Sequence, residues 1–235
     1  MPSEILGHDA TVVLIGKINP PIFTPAWLHL CGLISPEDME QAEVEVIHRQ
    51  ISSFKVSRFS IQVQPNRFSI STSEEPFISI ADWITVIFGK TLPHTPLQQA
   101  GINYGGHFAA ASQKQRHALG RALAPLEPWG NWGKLLDTDD LDNVGGLRAM
   151  DMLQVRVPGR ERGYRQVHLE PSVRNDIVSP KVGIFMTVND HFEVSRPEDA
   201  VGAAKCVQWV VENFDESIST AKSILADVQE YSERL

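Results

Sequence analysis

Apolar residues along this chain recur with two periods, every second position in some stretches and every third or fourth in others. The switches between the two lay out its elements. Thr11 to Ile18, TVVLIGKI, is rich in β-branched residues and reads as a first strand that Asn19-Pro20-Pro21 ends. Thr24 before Pro25 reads as a helix cap and first helical residue, and Gly32 closes that short helix. Ser35-Pro36-Glu37-Asp38 opens a second helix by the same logic, with Asp38 placed to complete a capping box. Val44, Val46 and Ile47 lead into another strand. Phe59, Ile61 and Val63 then alternate with Ser60, Gln62 and Gln64. Pro65-Asn66 supplies a turn, after which Phe68 and Ile70 alternate with Arg67, Ser69 and Ser71. This is a hairpin with one dry face and one wet face.

Ile80, Trp83, Ile84, Ile87 and Phe88 fall at spacings of three and four, so an amphipathic helix is expected over about 78–90. A Pro-rich loop and a strand over about 99–108 follow, then a helix capped by Ser112 and Gln115 and ending near Ala124. Residues 125–145 carry the least regular pattern and read as a long loop, the one weak candidate for a domain boundary. Strands are expected again over about 147–157, 164–170 and 182–194, the first two joined by PGRERG. One helix then runs from 199 to 231. Its apolar residues Ala204, Val207, Val211, Phe214, Ile218, Ala221, Leu225 and Val228 are spaced 3, 4, 3, 4, 3, 4, 3. That is a heptad seam on a helix of roughly 50 Å at 1.5 Å per residue. The seam suits an intermolecular coiled coil, or a helix lying along a sheet of its own chain. Trp209, Val210 and Ile224 widen the apolar face beyond a two-stranded seam.

These elements predict one α+β domain over residues 1–235. Its core is a twisted antiparallel sheet of about seven strands, covered on one face by helices, with a long C-terminal helix as main cover. Runs of strands followed by a helix disfavour a doubly wound fold. Both halves place strands before a helix, a pattern that fits an old duplication.

Composition narrows the class. The chain is 42% hydrophobic and 21% charged, as soluble globular proteins are. Its only cysteines, Cys31 and Cys206, are far apart amid apolar neighbours, which points to a reducing compartment and inert buried thiols. The start has no signal-peptide pattern and no apolar run approaches a membrane span of ~20 residues, so a cytoplasmic protein without membrane contact is expected. A net charge of −8 speaks against nucleic acid as a partner. Arg156, Arg160, Arg162 and Arg165 make a local basic exception around Gly159 and Gly163. They read as a solvated hairpin tip, or as a contact for phosphate or an acidic partner.

Candidate chemistry centres on Leu92 to Phe108, LPHTPLQQAGINYGGHF. His94, Asn103, Tyr104 and His107, with Asp190 and His191 from a later strand, form a candidate pocket if those strands are neighbours. No H-x-x-x-H or C-x-x-C pair occurs, so no metal and no cofactor is expected. With no G-x-S-x-G and no P-loop, no catalytic residue is assigned. Gly101, Gly105 and Gly106 mark a close approach, to a ligand or to the long helix. Trp129 and Trp132 are candidates for an exposed aromatic contact, or for anchors of their loop. With Val211, Phe214, Ile218, Leu225 and Val228 they make up the candidate interface.

The segments GKINPPIFTPAWL, QVQPNRFSI and LPHTPLQQAGINYGGHF, in that order, resemble a sporadically distributed family of uncharacterised bacterial proteins with a PNRFSI…HTP..AGIN type signature. The resemblance covers roughly residues 11–108 and brings no known activity, cofactor or catalytic residue. It implies a patchy occurrence, as of horizontally moved genes in defence or mobile-element systems. The expected function is a non-enzymatic cytoplasmic interaction subunit that forms a homo-oligomer or joins a larger assembly. Its partner is then protein, either itself or another subunit. The alternative is a small-ligand-binding protein or enzyme with a pocket lined by His94, His107 and His191.

Overall fold

Among the described residues there are nine strands: β1 (Gly7–Gly16), β2 (Glu43–His48), β3 (Ile51–Val56), β4 (Phe59–Gln64), β5 (Arg67–Thr72), β6 (Leu97–Ala109), β7 (Met150–Gln154), β8 (Tyr164–Pro171) and β9 (Gly183–Glu193). They form one sheet in the order β2-β3-β4-β5-β1-β6-β9-β8-β7, with every neighbouring pair antiparallel. The computed structural model describes residues 5–194 and 202–235. Each half of the chain contributes one long central strand, β1 or β6, and a meander that folds back onto it. The two halves join at the β1–β6 pair and share one buried core.

The strand period sorts side chains cleanly. Ala10, Val12 and Leu14 lie opposite Tyr104, Ile102 and Ala100 on one face. Thr11, Val13 and Ile15 lie opposite Asn103, Gly101 and Gln99 on the other. The helices are α1 (Pro25–Leu30), α2 (Pro36–Glu40), α3 (Ser79–Ile84), α4 (Gln113–Leu123), α5 (Gly130–Leu136) and α6 (Ala204–Glu233); α3 packs by β5, and α6 packs by β6 and β9. Rings report the contacts: Phe23 and Phe88 meet Phe68 of β5, Trp83 of α3 meets Phe59 of β4, and Trp209 of α6 stacks on Phe192 of β9. The register puts these strand residues on the same face as Leu14 and Ala100. The second face is half-exposed and polar around its centre, with Ser69, Ser71, Asn103, Thr187 and Asn189.

Caps form where the sequence places them. Thr24 accepts the Trp27 amide, and Ser35 and Asp38 complete their capping box. Two expectations need correction, and one falls outside the described residues. The sheet has nine strands, because Ile51–Val56 is a strand of its own. Its alternation is masked by Ser52, buried and bonded to the Pro20 carbonyl at 2.8 Å, and by Ser53, bonded to Glu45 at 2.7 Å. Residues 125–145 are not a plain loop, since a 3₁₀ turn at Glu127–Trp129 runs into α5. The long helix is described from Ala204, so its expected start at 199–201 lies outside the described residues.

The heptad seam is also revised. The seam residues Val207, Phe214, Ile218, Ala221 and Leu225 are buried, but so are the off-seam Cys206, Trp209, Val210, Ser217, Gln229 and Ser232, whereas Val211 is 48% exposed, so the buried row drifts off the seam. That is the drift of a straight helix on a sheet, not the strict 3.5-residue repeat of a supercoil. The helix lies along β6 and comes close at Gly106, where an added β-carbon would stand 2.9 Å from Leu225 Cδ2 and 3.2 Å from Ile5. Leu225 is fully buried there. Burial of that kind contributes about 1.5–3 kcal/mol per side chain. Gly106→Val is expected to destabilise the fold by about 1–3 kcal/mol through overpacking, read as a lower urea midpoint with unchanged m.

Candidate functional site

The six residues expected to share a pocket occupy different places. His94 is exposed on the loop before β6, beside Lys17, Ile18 and Phe23. Tyr104 and Asp190 point to the helical face and are buried. The Tyr104 hydroxyl lies 3.2 Å from His8 Nδ1, and burial pushes its pKa up to about 12. His107 and His191 share the polar face, but His191 pairs with Gly101, six residues along β6 from His107. At ~3.3 Å per residue they stand about 20 Å apart. Among the described residues, no group of three or more His, Cys, Asp or Glu side chains is placed to hold a metal ion.

Asn103 and His191 do come together. With Asn189, Arg67, Val13 and Ile15 they line a depression of about 300 Å³ floored by Gly101. A β-carbon on Gly101 would lie 3.0 Å from Asn189 Oδ1, a buried oxygen without a hydrogen-bond partner. His191 stacks on Tyr164 with centroids 4.5 Å apart, and burial lowers its pKa, which favours the neutral ring. Two amides and a neutral imidazole can offer donors and acceptors to a planar polar group. The glycines expected to answer to one neighbour therefore divide. Gly106 meets the long helix, while Gly101 and Gly105 face Asn189 and Phe185.

At the far end of the same face His107 gains partners from outside its expected set. Its Nδ1 lies 2.9 Å from Ser172 Oγ, which accepts the Arg174 amide at 3.2 Å. Burial and the Arg174 charge lower the His107 pKa, and burial raises that of neighbouring Asp9 despite its bond from Thr11. A hydroxyl on a neutral imidazole beside a carboxylate has the ingredients of a nucleophile. Ser172 is only 3% exposed, however, and Ile177 of the same loop packs over Gly7. The arrangement fastens the 172–182 loop to the sheet.

The arginine hairpin divides: Arg156 and Arg162 are exposed, whereas Arg160 and Arg165 turn inward and are paired. Arg160 grips Asp190 through both terminal nitrogens, one to each carboxylate oxygen, and Arg165 adds a bond at 3.1 Å. Ser217 of α6 donates to the same carboxylate at 2.8 Å. Asp190 is 1% exposed, and the Arg160 guanidinium lies over the Trp209 ring. Burial pushes the Asp190 carboxyl up, but the bonds from Arg160 and Ser217 and the charges of Arg160 and Arg165 outweigh it and hold the pKa below the ordinary value.

The candidate interface also divides. Phe214, Ile218 and Leu225 are buried inside the chain, Val228 is half-buried, and Val211 is exposed. Trp129 and Trp132 are 57% and 55% exposed and touch each other edge to face at 5.3 Å. The strand expected over about 147–157 is β7, but its apolar side chains are not among the candidate interface residues. Met152, Leu153 and the following Val155 are all more than half exposed on this outermost strand. The opposite edge, β2, carries Glu43 and Glu45 and an irregular register between Val44 and Val46.

No family model matches the chain, and no curated protein matches it at a significant level. No helix among the described residues is long and apolar enough to cross a membrane.

Asp190→Asn is expected to cost about 3–5 kcal/mol, because two arginines lose their buried partner. The pH dependence has a definite sign. Asp190 has a depressed folded pKa, so its contribution is complete above the unfolded value of about 3.9 and fades as pH falls through the folded one. Thermal melts from pH 5 to pH 2 check this, and the variant is expected to lose less stability across that window than the native chain.

Proposed function

We propose that this chain is a non-enzymatic assembly subunit that pairs with a second copy of itself by adding strand to strand at β7. The observation that carries the reading is the contrast between the two sheet edges. An edge strand presents unpaired backbone donors and acceptors, and proteins that stay apart block such edges with charge, proline or bulges. β2 has two glutamates and the irregular register, beside its exposed Val44 and Ile47. β7 reads Met150-Asp151-Met152-Leu153-Gln154, continues into Val155 and Arg156, and has neither a proline nor a lysine. An antiparallel second copy centred between Leu153 and Gln154 brings Asp151 opposite the partner's Arg156, twice by symmetry, and sets Met152 opposite the partner's Val155. Such isologous pairing closes at two copies. The long helix does not compete for this role, since its apolar face is already covered by the sheet. Two unpaired cysteines, Cys31 and Cys206, support a cytoplasmic setting for the assembly.

Light scattering on the full chain at about 50 μM tests it. A dimer is expected for the native chain, and a monomer for Leu153→Lys with unchanged circular dichroism, since a surface change there shifts stability by no more than about 0.5 kcal/mol. A native chain that stays monomeric overturns the proposal, as does a Leu153→Lys variant that stays dimeric.

A further inference from the structure

We infer that the cavity between α4 and the β8–β9 pair binds a small amphiphilic anion, an oxyanion head on a short apolar tail. The cavity measures about 260 Å³ and opens on the helical side of the sheet, away from the β7 contact proposed above. Leu119 of α4, Leu169 of β8 and Ile184 of β9 form its apolar wall, and the 144–148 connection closes it with Leu147. That connection is pinned by the Gly145 amide on the Leu136 carbonyl at 3.0 Å.

Its polar wall is cationic on a chain of net charge −8. Arg116 and Arg121 come from α4 and Arg148 from the connection. Arg116 donates to the Pro180 carbonyl at 2.8 Å and Arg121 pairs with Asp137, while Arg148 is exposed and has no hydrogen bond or ion pair among the described residues. The carboxylate on the rim, Glu170, already faces His168 at 3.5 Å. Two nitrogens on lining residues, Arg121 Nε and His117 Nε2, are buried without a partner. Buried polar atoms in native proteins are nearly always bonded, so a pair of orphans on one cavity points to a ligand oxygen. Guanidinium forks suit a carboxylate or a phosphate equally. Size sets the tail. At ~30 Å³ per water-sized group the cavity takes about nine non-hydrogen atoms, the scale of a six-carbon acid.

Calorimetric titration of the full chain with hexanoate and with monohexyl phosphate tests this, with hexanol, hexylammonium and inorganic phosphate as controls. One or both amphiphilic anions are expected to bind at least tenfold more tightly than any control. Arg148→Ala, an exposed change that leaves the fold intact, is expected to weaken binding about tenfold by removing a charge-assisted contact. Leu147→Trp is expected to abolish it by filling the cavity. Failure of both anions to bind the native chain overturns the inference, as does unchanged affinity in both variants. Inorganic phosphate binding as tightly as the hexyl ester overturns it too, because the tail then contributes nothing.

Discussion

A carboxylate sealed under a long helix sets the terms for half of this structure. Asp190 lies on the helical face of β9, where water cannot reach it, and a lone charge there would cost several kcal/mol. Its partners come from three directions: Arg160 from the hairpin connection, Arg165 from β8 and Ser217 from α6. Each bond fixes one element against another, so the β7–β8 connection, the second half of the sheet and the long helix are mutually positioned by one ion cluster. The backbone makes room for it. Gly163 has φ of +111°, and a β-carbon there would lie 2.1 Å from the His191 carbonyl. Only glycine lets the hairpin cross β9 that closely and deliver Arg160 to the acid.

Much of this was written in local pattern. The hairpin at Pro65-Asn66, the caps at Thr24 and Ser35, and the long helix are all properties of a few adjacent residues, and the α+β class followed from them. Asp190 was also within reach. Ile184, Met186 and Val188 alternate inward along β9, and the next inward position is Asp190. An acid on an inward row implies a buried cation, and the arginines of the adjoining hairpin were the cations at hand. What hid the rest was distance along the chain. β3 escaped notice because Ser52 and Ser53 break the apolar alternation, and Ser52 is satisfied by a carbonyl 32 residues away. His107 meets Ser172, 65 residues on, through a loop whose path no local pattern gives. The histidines looked like one site because they are close in sequence or in residue type, whereas strand register puts His107 and His191 at opposite ends of the same face.

The seam on α6 shows how one pattern serves two opposite ends. A row of apolar residues at three- and four-residue spacing reads alike whether its cover is a second helix or a sheet. The positions between the seam residues decide. Ser217 and Gln229, polar and buried, and Val211, apolar and exposed, rotate the dry face away from the heptad and onto β6. With most of that face consumed inside the chain, β7 and the Trp129–Trp132 pair are among the places where apolar surface is left exposed. Assembly, if it follows burial of apolar surface, shifts from the helix to the sheet edge.

The same reasoning explains why a cavity exists at all on the helical face. α6 runs 30 residues and buries eleven of them, sealing the centre of the sheet. α4 runs 11 residues and buries one, Leu119. A helix so polar is held chiefly at its N-terminal end, by the Ser112 cap, the Gln115 side-chain bond to the Ser232 carbonyl, and the Arg116 bond to the Pro180 carbonyl. Interdigitation with β8 and β9 is slight. The outer strands therefore have a cover that stands off from them, and the gap is walled by leucines below and guanidinium groups above. A closely packed core has no reason to leave such a gap, since volume filled by side chains is worth more than volume left open. Two nitrogens on its lining residues, Arg121 Nε and His117 Nε2, are left unpartnered by the chain, and these are the groups that the ligand inferred above would satisfy.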